Sequence, residues 1–320
     1  MPVGFSQRLL SVLQLTRMAL VFTAIADSTA ALMLADPFAM SFGVHRLITV
    51  VAISVGLYGY GMSLNDIIDR RRDRQIAAHR PLPSGRIGLI AAHVICVFFG
   101  LLALAAGMLL ARHVAMLSLV LLVWTGGLIT FYDFAGKYMV APGLLTLGLI
   151  RFFHATIPAP QLPVLWHPLL LLNHVAILST VAYAWEQKRP ALTRIHWWSV
   201  IGGLCVFNAM CIGVVWGRGR KLMITPSLIW PAGAVGLFLI VAVLIRFRSA
   251  DIRSAGRNIM LAGLLWLIIY DASFVIAYGS WTNGIALLML LPIAYLAVLL
   301  MRWWAKILLL SQKPEYQRAR

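Results

Sequence analysis

The sequence predicts an all-α integral membrane protein, a bundle of about nine to ten transmembrane helices. Three observations carry this. Hydrophobic residues make up 61% of the chain and charged residues 12%, where a soluble domain averages roughly 45–50% apolar and about 25% charged. The mean hydropathy is +0.88. Apolar runs of about 20 residues recur without the apolar–polar alternation of strands, and a helix satisfies its own backbone in lipid.

Ten spans are predicted in order, at 18–35, 44–64, 87–110, 114–131, 140–158, 164–185, 196–216, 225–246, 258–278 and 283–304. The first follows Arg8 and Arg17 and reads as an uncleaved span. Small residues inside the spans, among them Gly100, Gly126, Gly127, Gly202 and Gly203, fit close helix packing. No segment between spans is long enough for a soluble domain, so the chain reads as one helical domain over 1–320, with two pseudo-repeated halves around aspartate-motif positions.

The net charge of +17 is not a nucleic-acid signature, because the cations sit in short loops. The loops after even-numbered spans and the two termini hold 21 of the 27 Lys and Arg. The opposite loops hold five, namely Arg46, Arg112, Arg218, Arg220 and Lys221, and Arg151 lies inside a span. The excess predicts that the even-numbered loops are cytoplasmic. The basic cluster at 217–221 is discordant with this pattern. Cys96, Cys205 and Cys211 lie in apolar stretches without CxxC or Cys/His spacing and read as small core residues. The eight histidines show no paired ligand spacing.

The informative stretch follows the second span. It reads Asn65-Asp66-Ile67-Ile68-Asp69-Arg70-Arg71-Arg72-Asp73 and holds three of the chain's ten acidic residues. On a helix, Asp66, Asp69 and Asp73 share one face, and Asn65 lies one turn before Asp69. Carboxylates so placed repel one another, and a hard cation such as Mg²⁺, with phosphate oxygens completing its shell, relieves the repulsion. Arg80-Pro81-Leu82-Pro83-Ser84-Gly85 comes next. Its prolines stop the helix and its glycine permits a turn, which predicts a shaped loop beside the acidic face. Arg72 and Arg80 are candidates for gripping diphosphate bidentately.

NDxxDxxxD followed closely by RPLPSG resembles the first aspartate-rich motif of the UbiA superfamily of membrane prenyltransferases. The likeness is sharp over about residues 58 to 90. It implies a UbiA-like helical bundle with a Mg²⁺ site at Asp66, Asp69 and Asp73. It also implies diphosphate contacts from Tyr132 and Lys137 in the loop after the fourth span. Arg151, inside the fifth span, needs a counter-charge, either substrate diphosphate or Asp27. Asp133 either adds to a metal site or pairs with Lys137. After the sixth span the family carries a second DxxxD motif. Here the place reads Tyr183-Ala184-Trp185-Glu186-Gln187-Lys188-Arg189-Pro190, with Glu186 as its only acid. Glu186 and Lys188 are retained as substrate-binding candidates.

The implied function is Mg²⁺-dependent transfer of a polyprenyl group from a prenyl diphosphate to an aromatic or other lipophilic acceptor. Asp66, Asp69, Asp73 and Lys137 would be catalytic. The expected setting is a bacterial inner (cytoplasmic) membrane, with membrane lipid as a partner and no nucleic acid. Two alternatives stand beside it: a terpene cyclase of the same superfamily, and a non-catalytic protein that binds, moves or scaffolds an isoprenoid-type ligand. Asp27 and Asp271 are carboxylates within apolar spans and are candidates on that ground alone.

Overall fold

A computed structural model describes residues 5–35, 43–78, 80–219 and 222–310. Arg220 and Lys221 of the discordant basic loop, and the tail beyond residue 310, lie outside the described residues. Twelve α-helices and no strand occur among the described residues. They are α1 Phe5–Leu15, α2 Val21–Ala35, α3 Val44–Ile76, α4 Leu89–His113, α5 Met116–Phe134, α6 Val140–Thr156, α7 Trp166–Trp185, α8 Arg194–Gly217, α9 Ile229–Arg248, α10 Ile252–Tyr278, α11 Trp281–Leu288 and α12 Leu290–Leu310.

Nine helical segments among the described residues are long and apolar enough to cross a membrane. The seventeen residues of α6 are about 25 Å of helix, slightly short of a bilayer core of ~30 Å. α6 nevertheless runs from one end of the bundle to the other. Lys137, just before it, touches Asp69 at one end, and Ala155 near its close lines a small pocket with Leu34 and Val164 at the other. Nine of the ten predicted spans are thus long and apolar enough to cross, and the fifth is the shorter apolar helix α6. The tenth is split into α11 and α12. Pro292, two residues into α12, cannot continue a preceding helix, and the break falls just before it, at Met289.

The second span departs most from expectation. Predicted to stop at residue 64, α3 runs on to Ile76, about 50 Å in all. The acidic run is thus the continuation of a membrane helix and keeps its helical register. α1 was not anticipated. It buries Leu10 and Leu15, and Leu15 packs with Leu82, Ile87 and Ala92.

Burial sorts the helices. In α2, α7 and α10, 61% of the apolar window is buried, against 22%, 17% and 22% in α8, α9 and the α11–α12 pair. The first three form the core, and the others turn large apolar side chains outward, as lipid-facing helices do. The backbones of α3 and α4 meet at Gly56, where a Cβ would lie 2.7 Å from the Ala103 nitrogen. Only glycine allows that approach.

Candidate active site

The acidic residues sit where α3 leaves the apolar bundle. Asp66 and Asp73 are each only 3% exposed, although both belong to a strongly charged stretch. Surrounding cations make this burial tolerable. Arg80 Nη1 lies 2.6 Å from Asp73 Oδ2 and 3.9 Å from Asp66 Oδ1, so one guanidinium spans two turns of the acidic face. Arg17 donates from Nη2 to Asp66 Oδ1 at 3.5 Å. Its backbone is left-handed, with φ 47°, just before α2 begins.

The loop after α3 explains how Arg80 arrives there. Gly85, with φ +76°, closes a turn with its N–H on the Leu82 carbonyl, and Ile87 donates to the Pro81 carbonyl. Leu82 and Ile87 are thereby driven into the apolar cluster under Leu15 and Ala92. Arg86 ties the loop to α1 through Gln14 at 3.2 Å. The RPLPSG segment is a plugged turn that aims its first residue at the aspartates.

The third wall comes from the end of α5 and the short 3-10 turn Gly136–Tyr138. Lys137 Nζ is 2.7 Å from Asp69 Oδ1 and 3.9 Å from Asp133 Oδ1. Its side chain is only 8% exposed. The charges touch, but the contact is not directed along a hydrogen bond. Lys137 Nζ, Asp69 Oδ1 and Asp133 Oδ1 are all buried without a hydrogen-bond partner. Unsatisfied groups of this kind are costly and mark a place prepared for something more.

The donors fit a hard divalent cation: they are carboxylate oxygens, and two of them, on Asp69 and Asp133, are unsatisfied. They do not form a complete cage. Among the described residues no three acidic, histidine or cysteine side chains converge on one point. Asp66, Asp69 and Asp73 lie in two ion-pair groups. Arg80 holds Asp66 and Asp73 on one side, and Lys137 holds Asp69 on the other. A bound Mg²⁺ would take one or two of these carboxylates and complete its shell from ligand oxygens and water, the usual way such ions are held.

Tyr132, beside Asp133, is half-buried at this end, and Asn65 is half-buried next to Asp66. Arg72 is exposed and lies within electrostatic reach of Tyr132 and of Tyr183 on α7.

The remaining candidates are arranged differently. Glu186 caps the end of α7, packs on Gly256 of α10 and pairs with Lys188 at 3.0 Å. Gln187 accepts from Arg253 Nε at 3.1 Å, and Tyr183 donates to the Pro190 carbonyl at 2.7 Å. Glu186 and Lys188 pair with each other, and Arg72, beside Asp73, lies within electrostatic reach of Tyr183 one turn before Glu186. Arg151 is also elsewhere. Its guanidinium is committed to Asp27 at 2.5 Å and to Thr23 at 3.0 Å inside the bundle, so Asp27 is its counter-charge.

Sequence reasoning passed over Arg17 as a topology marker, and its contact depends on a fold that brings residue 17 to residue 66. It also passed over His167, which bonds Asp271 at 2.7 Å. No local pattern around either residue signals these contacts.

Residues 19–159 match the model of the UbiA prenyltransferase family, a stretch that includes the acidic run, the RPLPSG turn and Lys137. The fold is similar to that of a digeranylgeranylglyceryl phosphate synthase over 85% of this chain and 98% of the other, with a TM-score of 0.60 at 16% identity. Over residues 19–159 this chain is similar to the UbiA prenyltransferase family. A UbiA homolog from Archaeoglobus fulgidus, solved with GPP and Mg²⁺, is similar over 87% of this chain and 99% of its own, with a TM-score of 0.58 at 14% identity. At such identities the structural likeness is one of fold. The family match ends before Glu186, so the altered second-motif region lies outside it. No curated protein sequence matches the chain.

Proposed function

We propose that this UbiA-like protein transfers a polyprenyl group from a prenyl diphosphate to an aromatic or other lipophilic acceptor within the membrane, with Mg²⁺ as cofactor. One observation carries the reading. Asp66, Asp69 and Asp73 meet Arg17, Arg80 and Lys137 at one end of an apolar bundle. A diphosphate ester with an isoprenoid tail has the matching form, an anionic head on an apolar chain.

Arg80 and Arg17 are more than one-third exposed at their side chains, so each can turn from carboxylate to phosphate without unpacking. Arginine presents a planar fork suited to phosphate oxygens. Lys137, held between Asp69 and Asp133, would put a fixed positive charge where the leaving group gains negative charge. Such preorganised charge is usually the largest electrostatic contribution to a rate. Mg²⁺, when bound, supplies further neutralisation of that leaving group. Asp66 and Asp69 would be its main holders, with Asp73 keeping Arg80 in place. Tyr132, Asn65 and Arg72 border the same space and would position the head group. The positive-inside pattern supports a cytoplasmic setting for this end, in a bacterial inner membrane.

A second reading has a specific observation in its favour. At the second-motif place, the only acid, Glu186, is neutralised by Lys188. A protein that binds or carries an isoprenoid diphosphate without turning it over would have this form.

The deciding experiment follows diphosphate release from prenyl diphosphates of several chain lengths by the protein in lipid, with and without Mg²⁺. An Asp66→Asn/Asp69→Asn variant runs beside it. Mg²⁺-dependent release that the variant lacks supports transfer, and product analysis then separates transfer to an acceptor from internal cyclisation. Tight Mg²⁺-insensitive binding without release, acceptors having been supplied, supports the carrier reading and ends the transferase one.

A further inference from the structure

Deep in the bundle is a second group of ionisable side chains that prenyl transfer does not use. Asp27 on α2 and Asp271 on α10 are both fully buried, at 0% exposure. Asp27 Oδ2 accepts from Arg151 Nη1 on α6 at 2.5 Å, and Arg151 Nη2 also donates to Thr23 Oγ1 at 3.0 Å. Asp271 Oδ1 lies 2.7 Å from His167 Nε2 on α7. The two carboxyls are within hydrogen-bond reach of each other. One oxygen of each, Asp27 Oδ1 and Asp271 Oδ2, is buried and has no donor.

Charge and hydrogen bonds can be balanced together. With His167 neutral, two ionised carboxylates beside one guanidinium would leave an unpaired negative charge in a sealed apolar interior, which is prohibitively costly. Adjacent carboxyls resolve this by sharing a proton. If the proton rests on Asp271 Oδ2, it can be donated to Asp27 Oδ1, and both oxygens left without donors are satisfied. Neutral His167 then donates from Nε2 to the remaining Asp271 oxygen. Asp27 stays ionised against Arg151, and the network is neutral overall.

We propose that Asp27 and Asp271 form an intramembrane proton-binding site, holding one proton between α2 and α10 at neutral pH, with Asp271 as the acid and Asp27 as its ionised acceptor. The site is separate from the aspartate motif. Arg151 is fourteen residues along the chain from Lys137, about 20 Å at helical rise, and its guanidinium is taken up by Asp27 and Thr23. Among the described residues its surroundings supply no competing acid. α2 contributes Thr23, and α3 brings Tyr58 within electrostatic reach of Arg151. α6 contributes Arg151 itself and, one turn on, His154, whose Nε2 is held by Ser54 at 3.2 Å. α7 contributes His167, and α10 adds Tyr270 next to Asp271. α11 and α12 meet this core with apolar side chains such as Leu287, Leu291 and Ala294. Loss of the proton would set two anions against one guanidinium and push α2 from α10, so occupancy ties the two halves of the bundle together.

Infrared difference spectra of the protein in lipid at pH 7 test this directly. Wild type is expected to show a protonated-carboxyl carbonyl band, shifted in D₂O, that Asp271→Asn lacks. Asparagine supplies a donor in place of the acid, so Asp271→Asn is expected to melt like wild type. Asp27→Asn strands Arg151 and is expected to melt well below it. The proposal is overturned if Asp271→Asn leaves the spectrum unchanged. It is equally overturned if melting depends on Na⁺ with no such band, since a metal cation would then hold the pair. Should Asp271→Asn not fold, wild type labelled with carboxyl-¹³C aspartate decides. A neutral carboxyl resonance close in space to a histidine ring at pH 7 upholds the site. Ionised carboxylates throughout, beside a protonated His167, refute it.

Discussion

The rim of the bundle and its centre use the same chemistry to opposite ends. At the rim, Asp66, Asp69 and Asp73 face Arg17, Arg80 and Lys137; at the centre, Asp27 faces Arg151 and Asp271 faces His167. The rim arginines are 41% and 35% exposed at their side chains, whereas Arg151 is at 13% and its partner Asp27 at 0%. A rim ion pair in contact with water can exchange its carboxylate for an incoming phosphate. A central pair cannot, because any unpaired intermediate would be stranded in a low-dielectric interior. Identical residue types therefore make a ligand site in one place and a fastening in the other.

The largest effect that separates the two regions is on stability. Asp27→Asn should cost about 3–5 kcal/mol, because it leaves Arg151 buried and unpaired. Asp66→Asn should cost about 1 kcal/mol, because Arg17 and Arg80 can turn to water. Thermal unfolding of both variants in the same lipid measures the contrast, and equal losses would erase the distinction drawn here.

Next comes Lys137, the most buried cation of the rim. Lys137→Met should lower diphosphate release by about 10²-fold, the scale of losing one preorganised charge. Arg151→Met should act mainly through folding, so the surviving folded fraction would retain near-normal turnover. Turnover per folded molecule distinguishes these outcomes, and a purely catalytic loss in Arg151→Met would move that residue back toward the substrate.

Glu186→Gln should change little. The Glu186–Lys188 pair is partly exposed, and such pairs contribute roughly 0–1 kcal/mol. Release rates within a few-fold of wild type are expected. A collapse in rate would make Glu186 a ligand despite its pairing with Lys188.

The smallest effect lies at a loop remote from both regions. Asp251 caps α10, accepting from the Ser254 N–H at 2.7 Å and from its hydroxyl at 3.0 Å. These bonds hold its carboxyl below the usual range. Folding thus favours the ionised form, and the stabilisation is present above the unfolded-state value of about 3.9. It fades as pH falls through the lower folded value. Melting measured between pH 6 and pH 3 should drop slightly less in Asp251→Asn than in wild type.

Much of this was legible in the linear sequence. Ten apolar runs named nine membrane-length segments and the shorter α6, because a bilayer imposes both length and composition on any helix that crosses it. The acidic face could be read from the i, i+3, i+7 spacing, because helical geometry is local. Asp27 was among the partners named for Arg151 because a buried charge must be matched. Other features could not be read locally. The extension of α3 to Ile76 depends on Leu82 and Ile87 folding back under α1, which also aims Arg80. Arg17 meets Asp66, and His167 meets Asp271, across 49 and 104 residues of chain. The sequence by itself determined which side chains carry charge and on which helix face they lie. Only the tertiary structure decided which charges are sealed together and which stay open to a ligand, because burial is a property of how the helices assemble.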